Sequence, residues 1–198
     1  MTAPDELALL RDLADRRQIL DCLHRYTRGV DRLDRELVLS AYHEDAIDDH
    51  GAFVGTAEDF VDWALPYHAE NQQATNHLLL NHTCDLDGDN AHTETYCLYV
   101  GVNVDGTIDV IGNRYVDRLE RREGRWAIAR RVCVAEWVSS LPGAAEIDPL
   151  LRQAVEFLKA NATTARDRTD VSYQRPLEIT RATTTADKHG WEQGDGRP

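Results

Sequence analysis

The chain has 198 residues, 42% hydrophobic and 29% charged, which suits one domain with its own core and is short for two. Its 35 acidic side chains against 22 basic ones leave a formal charge of -13, which argues against a nucleic acid or an anionic membrane surface as partner. No apolar run approaches the ~20 residues that span a bilayer. The acidic start, Met1 to Glu6, lacks the pattern of a secretion signal. Cys22, Cys84, Cys97 and Cys133 are scattered without a paired spacing, so a cytoplasmic protein with reduced, buried thiols and no zinc site is expected.

The first third reads as three helices. Ile19, Leu20, Leu23, Tyr26, Thr27 and Val30 form one apolar stripe, and Gly29 is a predicted stop. Asp34 caps a short second helix that carries Leu37, Val38, Ala41 and Tyr42. Thr56 with Asp59 resembles a capping box opening a third helix, along which Phe60, Trp63, Ala64 and Tyr67 share a side and which Pro66 should kink or end.

From about Asn76 the period becomes alternating. Four strands are predicted, roughly 76–87, 91–104, 107–121 and 125–139, joined at Asp87-Gly88-Asp89-Asn90, Asp105-Gly106 and Glu123-Gly124. They make an antiparallel meander that must bury one face, and the N-terminal helices can cover it, so the fold class is α+β. Residues 1–142 form this domain, 143–162 a C-terminal helix, and 163–198 a threonine-rich tail that is flexible or docks on a neighbouring subunit through Trp191.

No phosphate-binding loop, nucleophile elbow or zincin element is present. The candidates for chemistry are Tyr26, Asp31, Trp63, His77, Asn81, Asn113 and Arg131. Tyr26 and Asp31 are not at a same-face spacing, so both meet one cavity only if the chain turns at Gly29. A desolvated carboxylate there is a possible base, and an Asp facing water is the ordinary alternative. His77 falls on the strand face opposite Leu78, Leu80, Cys84 and Leu86, so reaching a cavity requires a bulge before Leu78 or a sheet curled enough to cover both faces. His82 reads as a satisfied core or interface histidine. His43, Asp48, Asp49 and His50 read as a solvated acidic turn, and no metal is assigned to them. Arg130 and Arg131 point to opposite faces of the last strand, one for a substrate carbonyl or a buried carboxylate. Tyr96, Tyr115, Trp126 and Trp137 furnish core or pocket wall.

Tyr26-Thr27-Arg28-Gly29-Val30-Asp31, Thr75-Asn76-His77 with Asn81, Leu86-Asp87-Gly88-Asp89, Tyr115-Val116-Asp117-Arg118 and Gly124-Arg125-Trp126 leading to Arg131 occur in that order. In this order they resemble the SnoaL-like branch of the nuclear-transport-factor-2-like superfamily over about residues 6–140. The chain is most similar to the group of scytalone dehydratase, bile-acid 7α-dehydratase and hexachlorocyclohexane dehydrochlorinase. The resemblance implies a cone-shaped sheet under three helices and a cofactor-free elimination. It implies Asp31 and His77 as a catalytic pair, with Tyr26 and Arg131 assisting. Where the bile-acid enzyme places its arginine, this chain has Ala135, and the second histidine of scytalone dehydratase has no equivalent.

The expected activity is therefore a dehydratase-type lyase on a small polycyclic, steroid-like or aromatic compound. Trp63, Asn81, Tyr96, Asn113 and Tyr42 are expected to bind the substrate, without cofactor or metal. A double-bond isomerase and a non-catalytic assembly subunit, as in ring-hydroxylating dioxygenases, are the alternatives. A homo-oligomer, trimer or dimer, is expected.

Overall fold

The computed structural model describes residues 3–143, 149–150, 153 and 164–179. Most of the helix expected over 143–162, and Trp191, lie outside the described residues. Helix α1 (Ala3–Asp31) is followed by α2 (Arg35–Leu39), strands β1 (Tyr42–Asp49) and β2 (Val54–Thr56), α3 (Ala57–Asn71), and the long strands β3 (Gln72–Asp87), β4 (Asn90–Asn103), β5 (Ile108–Arg122) and β6 (Arg125–Leu141). No helix among the described residues is long and apolar enough to cross a membrane.

The six strands form one curved, unclosed sheet in the order β2-β1-β6-β5-β4-β3. β3 to β6 are the expected meander, and Glu123 and Gly124 both take positive φ (52° and 78°), as a two-residue hairpin turn requires. β1 and β2 were not expected: the acidic stretch up to Asp49, read as a turn, is a strand running parallel to β6, and His50 follows its end. Tyr42 opens β1 and is not part of α2.

The predicted stripe of α1 is the heart of the core, with Ile19, Leu23, Tyr26 and Val30 all at 1% exposure or less. Each such burial stabilises by ~1.5–3 kcal/mol. Gly29 does not stop α1. A Cβ there would lie 2.7 Å from the Val38 backbone nitrogen, so the glycine lets α2 approach closely. The helix ends two residues later, at Asp31, and the chain turns at Leu33 (φ 52°), where Asp34 N donates to Gly29 O and Leu33 N to Val30 O. Asp34 caps α2 and Thr56 caps α3 as predicted, but α3 runs on past Pro66 to Asn71.

Residues 164–179, expected as flexible or subunit-docking, lie against this same domain. Arg168 and Tyr173 bond the Asp34 carboxylate, and Arg28 reaches Ser172 O while its guanidinium covers the Tyr173 ring at 4.6 Å. Charge pairing with the ends of α1 and α2 replaces the apolar burial that this segment lacks.

Candidate active site

Asp31 is the last residue of α1, and His77 stands near the start of β3. The Asp31 carboxylate meets His77 with both oxygens: Oδ1 lies 2.6 Å from ring Nδ1, and Oδ2 accepts the His77 backbone N–H at 3.0 Å. The side chains are 15% and 8% exposed. A carboxylate at Nδ1 keeps the proton of the neutral ring on that nitrogen and leaves the Nε2 lone pair for the cavity that His77 lines.

That cavity, ≈ 290 Å³, lies between the inner face of the sheet and helices α1 and α3. Tyr26, Phe60, Trp63, Tyr67, Tyr99 and Tyr115 give it aromatic walls. Beside His77, His68 Nδ1 is 2.6 Å from Gln72 Oε1, and Gln72 in turn donates to the Tyr99 hydroxyl. Burial lowers His68 to about 4, so this ring is a neutral wall.

A second histidine enters from the other side. His50 follows β1, and its Nδ1 bonds Asp48 Oδ1, while the other Asp48 oxygen accepts from the Tyr42 hydroxyl at 2.5 Å. His50 Nε2 lies 3.3 Å from the Tyr26 hydroxyl, and the ring stacks on Phe60 with centroids 4.4 Å apart. Burial alone would lower the His50 pKa, but hydrogen bonds to Asp48 and Cys133 and their charge outweigh it and raise it to about 9. Burial likewise opposes the Cys133 thiolate, yet the bond to His50, its charge and the Asn113 amide bring the thiol below its usual value.

The expected residues separate into three groups. Tyr26, Trp63, Asn113 and His77 line the cavity, and Asp31 stands behind His77. Asn113 leaves its buried Oδ1 without a hydrogen-bond partner among the described residues. Tyr42 and Arg131 are in the core behind the wall. Arg131 makes a two-point ion pair with Asp117 (2.7 and 2.8 Å), both side chains at 0% exposure, and its guanidinium sits 4.1 Å from the Tyr26 ring and 4.2 Å from the Tyr115 ring. Those rings screen it from the cavity, so Arg131 supports the wall and does not touch what the cavity holds. Asn81 and Tyr96 belong to the outer face of the sheet: Asn81 is exposed, and Tyr96 is 39% exposed beside Arg114.

The facing of β3 explains part of this. The register shifts twice, between Gln72 and Ala74 and between Leu79 and His82, and it is the second shift, after Leu78, that brings His77 onto the face of Cys84 and Leu86. Thr75, His77 and Leu79 therefore share the inner face with His82, Cys84 and Leu86, while Leu78 and Leu80 are 47% and 57% exposed. His82 bonds Thr95 Oγ1 at 2.8 Å. His50, Asp48, His68, Gln72, Tyr99 and Cys133 were missed as site residues. Ala46, Asp48 and His50 do alternate inward with period two, but acidic neighbours hide the strand.

A helix-covered, cone-like sheet around a cavity with histidine–carboxylate pairs is the class that fold and site define. The SnoaL-like domain family matches residues 11–132, and the chain belongs to it, within the nuclear-transport-factor-2-like superfamily. No curated protein matches the sequence. Among solved structures, it is similar to the hexachlorocyclohexane dehydrochlorinase LinA-type3 of Novosphingobium barchaimii (22% identity, TM-score 0.62, covering 71% of this chain and 99% of that one). A candidate scytalone dehydratase of Novosphingobium aromaticivorans matches at 16% identity and TM-score 0.60, over 69% and 97% of the two chains. A candidate aromatic ring hydroxylase of the same organism matches at 25% identity and TM-score 0.60, over 65% and 94%.

Proposed function

We propose that the protein is a cofactor-independent lyase that removes water from a small, hydroxylated aromatic or polycyclic compound. The observation that carries this reading is the His77–Asp31 pair at the edge of an aromatic-walled cavity. His77 Nε2 takes a proton from a carbon beside a carbonyl or ring. The C–H electron pair becomes the new double bond, and the C–O bond on the adjacent carbon breaks with its pair on oxygen. That oxygen gains a proton and leaves as water. Asp31 stabilises the imidazolium that forms and holds the ring in one tautomer. The likeness to a dehydrochlorinase and to a candidate scytalone dehydratase supports an elimination. At ≈ 290 Å³ the cavity favours compounds of one or two rings over a larger steroid, because pockets for drug-sized ligands start at ~300 Å³.

The test is a screen of hydroxylated mono- and bicyclic compounds for loss of water, followed by mass and by the absorbance of the new double bond. Wild type and His82→Ala are expected to turn over, and His77→Ala to be inactive. Equal rates in the two variants would remove the His77 mechanism. Deuterium entering the substrate without loss of water would point to an isomerase instead.

A further inference from the structure

The proposed elimination names a base but leaves open which group meets the departing oxygen. We propose that His50, clamped by Asp48, is the acid of the cavity, acting through the Tyr26 hydroxyl, and that the compounds bound there present the departing hydroxyl to this pair. The inference rests on the elimination reading and deepens it.

The sheet order places β1, which delivers His50, and β3, which delivers His77, on opposite flanks, with β6, β5 and β4 between them. Both histidines line the one cavity, so a bound ring lies between two histidine–carboxylate pairs. The two pairs differ in their surroundings. Asp48 is fully buried and already accepts from Tyr42, which fixes its charge beside His50. The groups around the His50 ring are Asp48, Tyr26, Cys133, Phe60 and Tyr115, and Asp48 is the carboxylate among them. His50 is therefore held as a cation whose Nε2–H donates to the Tyr26 oxygen, in keeping with its pKa of about 9. Burial pushes the Tyr26 hydroxyl well above its ordinary value, so Tyr26 stays neutral, a phenol able to donate within the cavity that it lines.

In the step, Tyr26 gives its proton to the leaving oxygen and takes the Nε2 proton of His50. His50 is left neutral beside an anionic Asp48, and His77 holds the proton from carbon. Substrate has become alkene and water, the protein's proton count is unchanged, and exchange with solvent returns the proton from His77 to His50. A ligand that cannot eliminate but carries an acidic phenol should meet the same pole and ionise against it.

The probe is para-nitrophenol, added to the full chain in buffer more acidic than the free phenol's pKa. Bound ligand is expected to show the visible phenolate band, and His50→Gln to lose that band while remaining folded, as its far-ultraviolet circular dichroism reads. NMR of the ring nitrogens in the unmutated protein is expected to find both nitrogens of His50 protonated at neutral pH, with the Nε2 proton shifting when the phenol binds. Ligand that stays protonated or does not bind, a phenolate band that follows His77→Gln and not His50→Gln, or a neutral His50 each overturns the assignment. The base role of His77 is read separately, from water loss in the His77→Ala comparison, so a failed phenolate test leaves that reading standing.

Discussion

Asp31 uses both carboxylate oxygens on a single residue, one on the His77 ring and the other on the His77 backbone N–H. The second bond fixes the strand, the first fixes the ring, and together they tie the end of α1 to the start of β3. A side chain that only capped the helix would not reach across to a strand in this way.

Asp31→Asn keeps the size and the backbone bond but removes the charge that stabilises a protonated His77. Water loss is expected to fall by roughly 10²–10⁴-fold, the usual worth of a positioned acid–base group. The melting temperature should change little. A loss of activity matched by a loss of folded protein would instead mark Asp31 as purely structural.

Stability should depend on pH through two cavity histidines of opposite sign. His50 is raised from 6.5 to about 9, so its contribution is full below 6.5 and disappears as pH rises through 9. His68 is lowered from 6.5 to about 4, so stability is lost as pH falls from 6.5 through 4, where the unfolded chain binds the proton first. The expected profile is a dome centred near neutral or slightly acidic pH, each limb worth on the order of 3 kcal/mol at most. Urea unfolding across this range checks it: His50→Gln should flatten the alkaline limb and His68→Gln the acid limb. A variant that flattens the wrong limb would contradict the assignment.

Arg131 and Asp117 form a fully buried pair, and removing one partner strands the other charge. Arg131→Met is expected to destabilise by ~3–5 kcal/mol, and adding Asp117→Leu to recover most of that. Because Arg131 packs on the Tyr26 and Tyr115 rings, the single variant should also loosen the cavity wall. Denaturant unfolding of the single and double variants reads this directly. No recovery in the double variant would mean that the cost comes from lost packing.

Much of the fold was legible because its signals are local. Asp-Gly and Glu-Gly turns mark the hairpins, a stripe at helical spacing marks α1, and Asp34 and Thr56 mark helix starts. The site was legible only where a residue's identity sufficed, as for His77 and Asp31. Its facing depends on a register shift at Leu80 and Asn81 that no local residue announces, and this shift leaves Asn81, and the outer-face position of Tyr96 opposite it, outside the cavity. Arg131 was on the inward face as expected, but its partner Asp117 comes from a neighbouring strand and its screen from α1, both long-range facts. His50 was hidden because six of the residues from 43 to 50 are acidic or His, a composition that reads as exposed until β6 pairs with it.

Arg166, from the segment after the domain, donates to His68 O at 2.7 Å and Gln72 O at 2.6 Å, and lies 3.5 Å from Asp31 O. These carbonyls belong to the ends of α3 and α1 and the first residue of β3, the elements that carry His68 and the His77–Asp31 pair. Arg166→Ala is expected to cost ~1.5–3 kcal/mol, the range for hydrogen bonds to a charged group, with release of residues 164–179 to protease. Arg166→Lys should recover only part, since one ammonium cannot match a planar fork. If the segment stays protected in Arg166→Ala, the contacts of Arg168 and Tyr173 with Asp34 hold it unaided.

The outer face of the sheet carries Leu78, Leu80, Tyr96, Val116, Val132 and Trp137, each between 39% and 57% exposed. Leu78 pairs with Leu98 across β3 and β4, Val116 with Val132 across β5 and β6, and Trp137 covers Gly112, so the apolar positions fall in neighbouring rows of the sheet on either side of the Arg114 ion pairs with Glu94 and Glu136. A patch of this kind on a chain of charge -13 calls for cover by a surface equally apolar, and a second copy of the chain offers one. Sedimentation velocity is expected to find a dimer or trimer, and Leu80→Asp or Val132→Asp to shift it toward monomer without unfolding, since both side chains stand outside the core. A wild-type monomer at all concentrations would rule out self-association through this face.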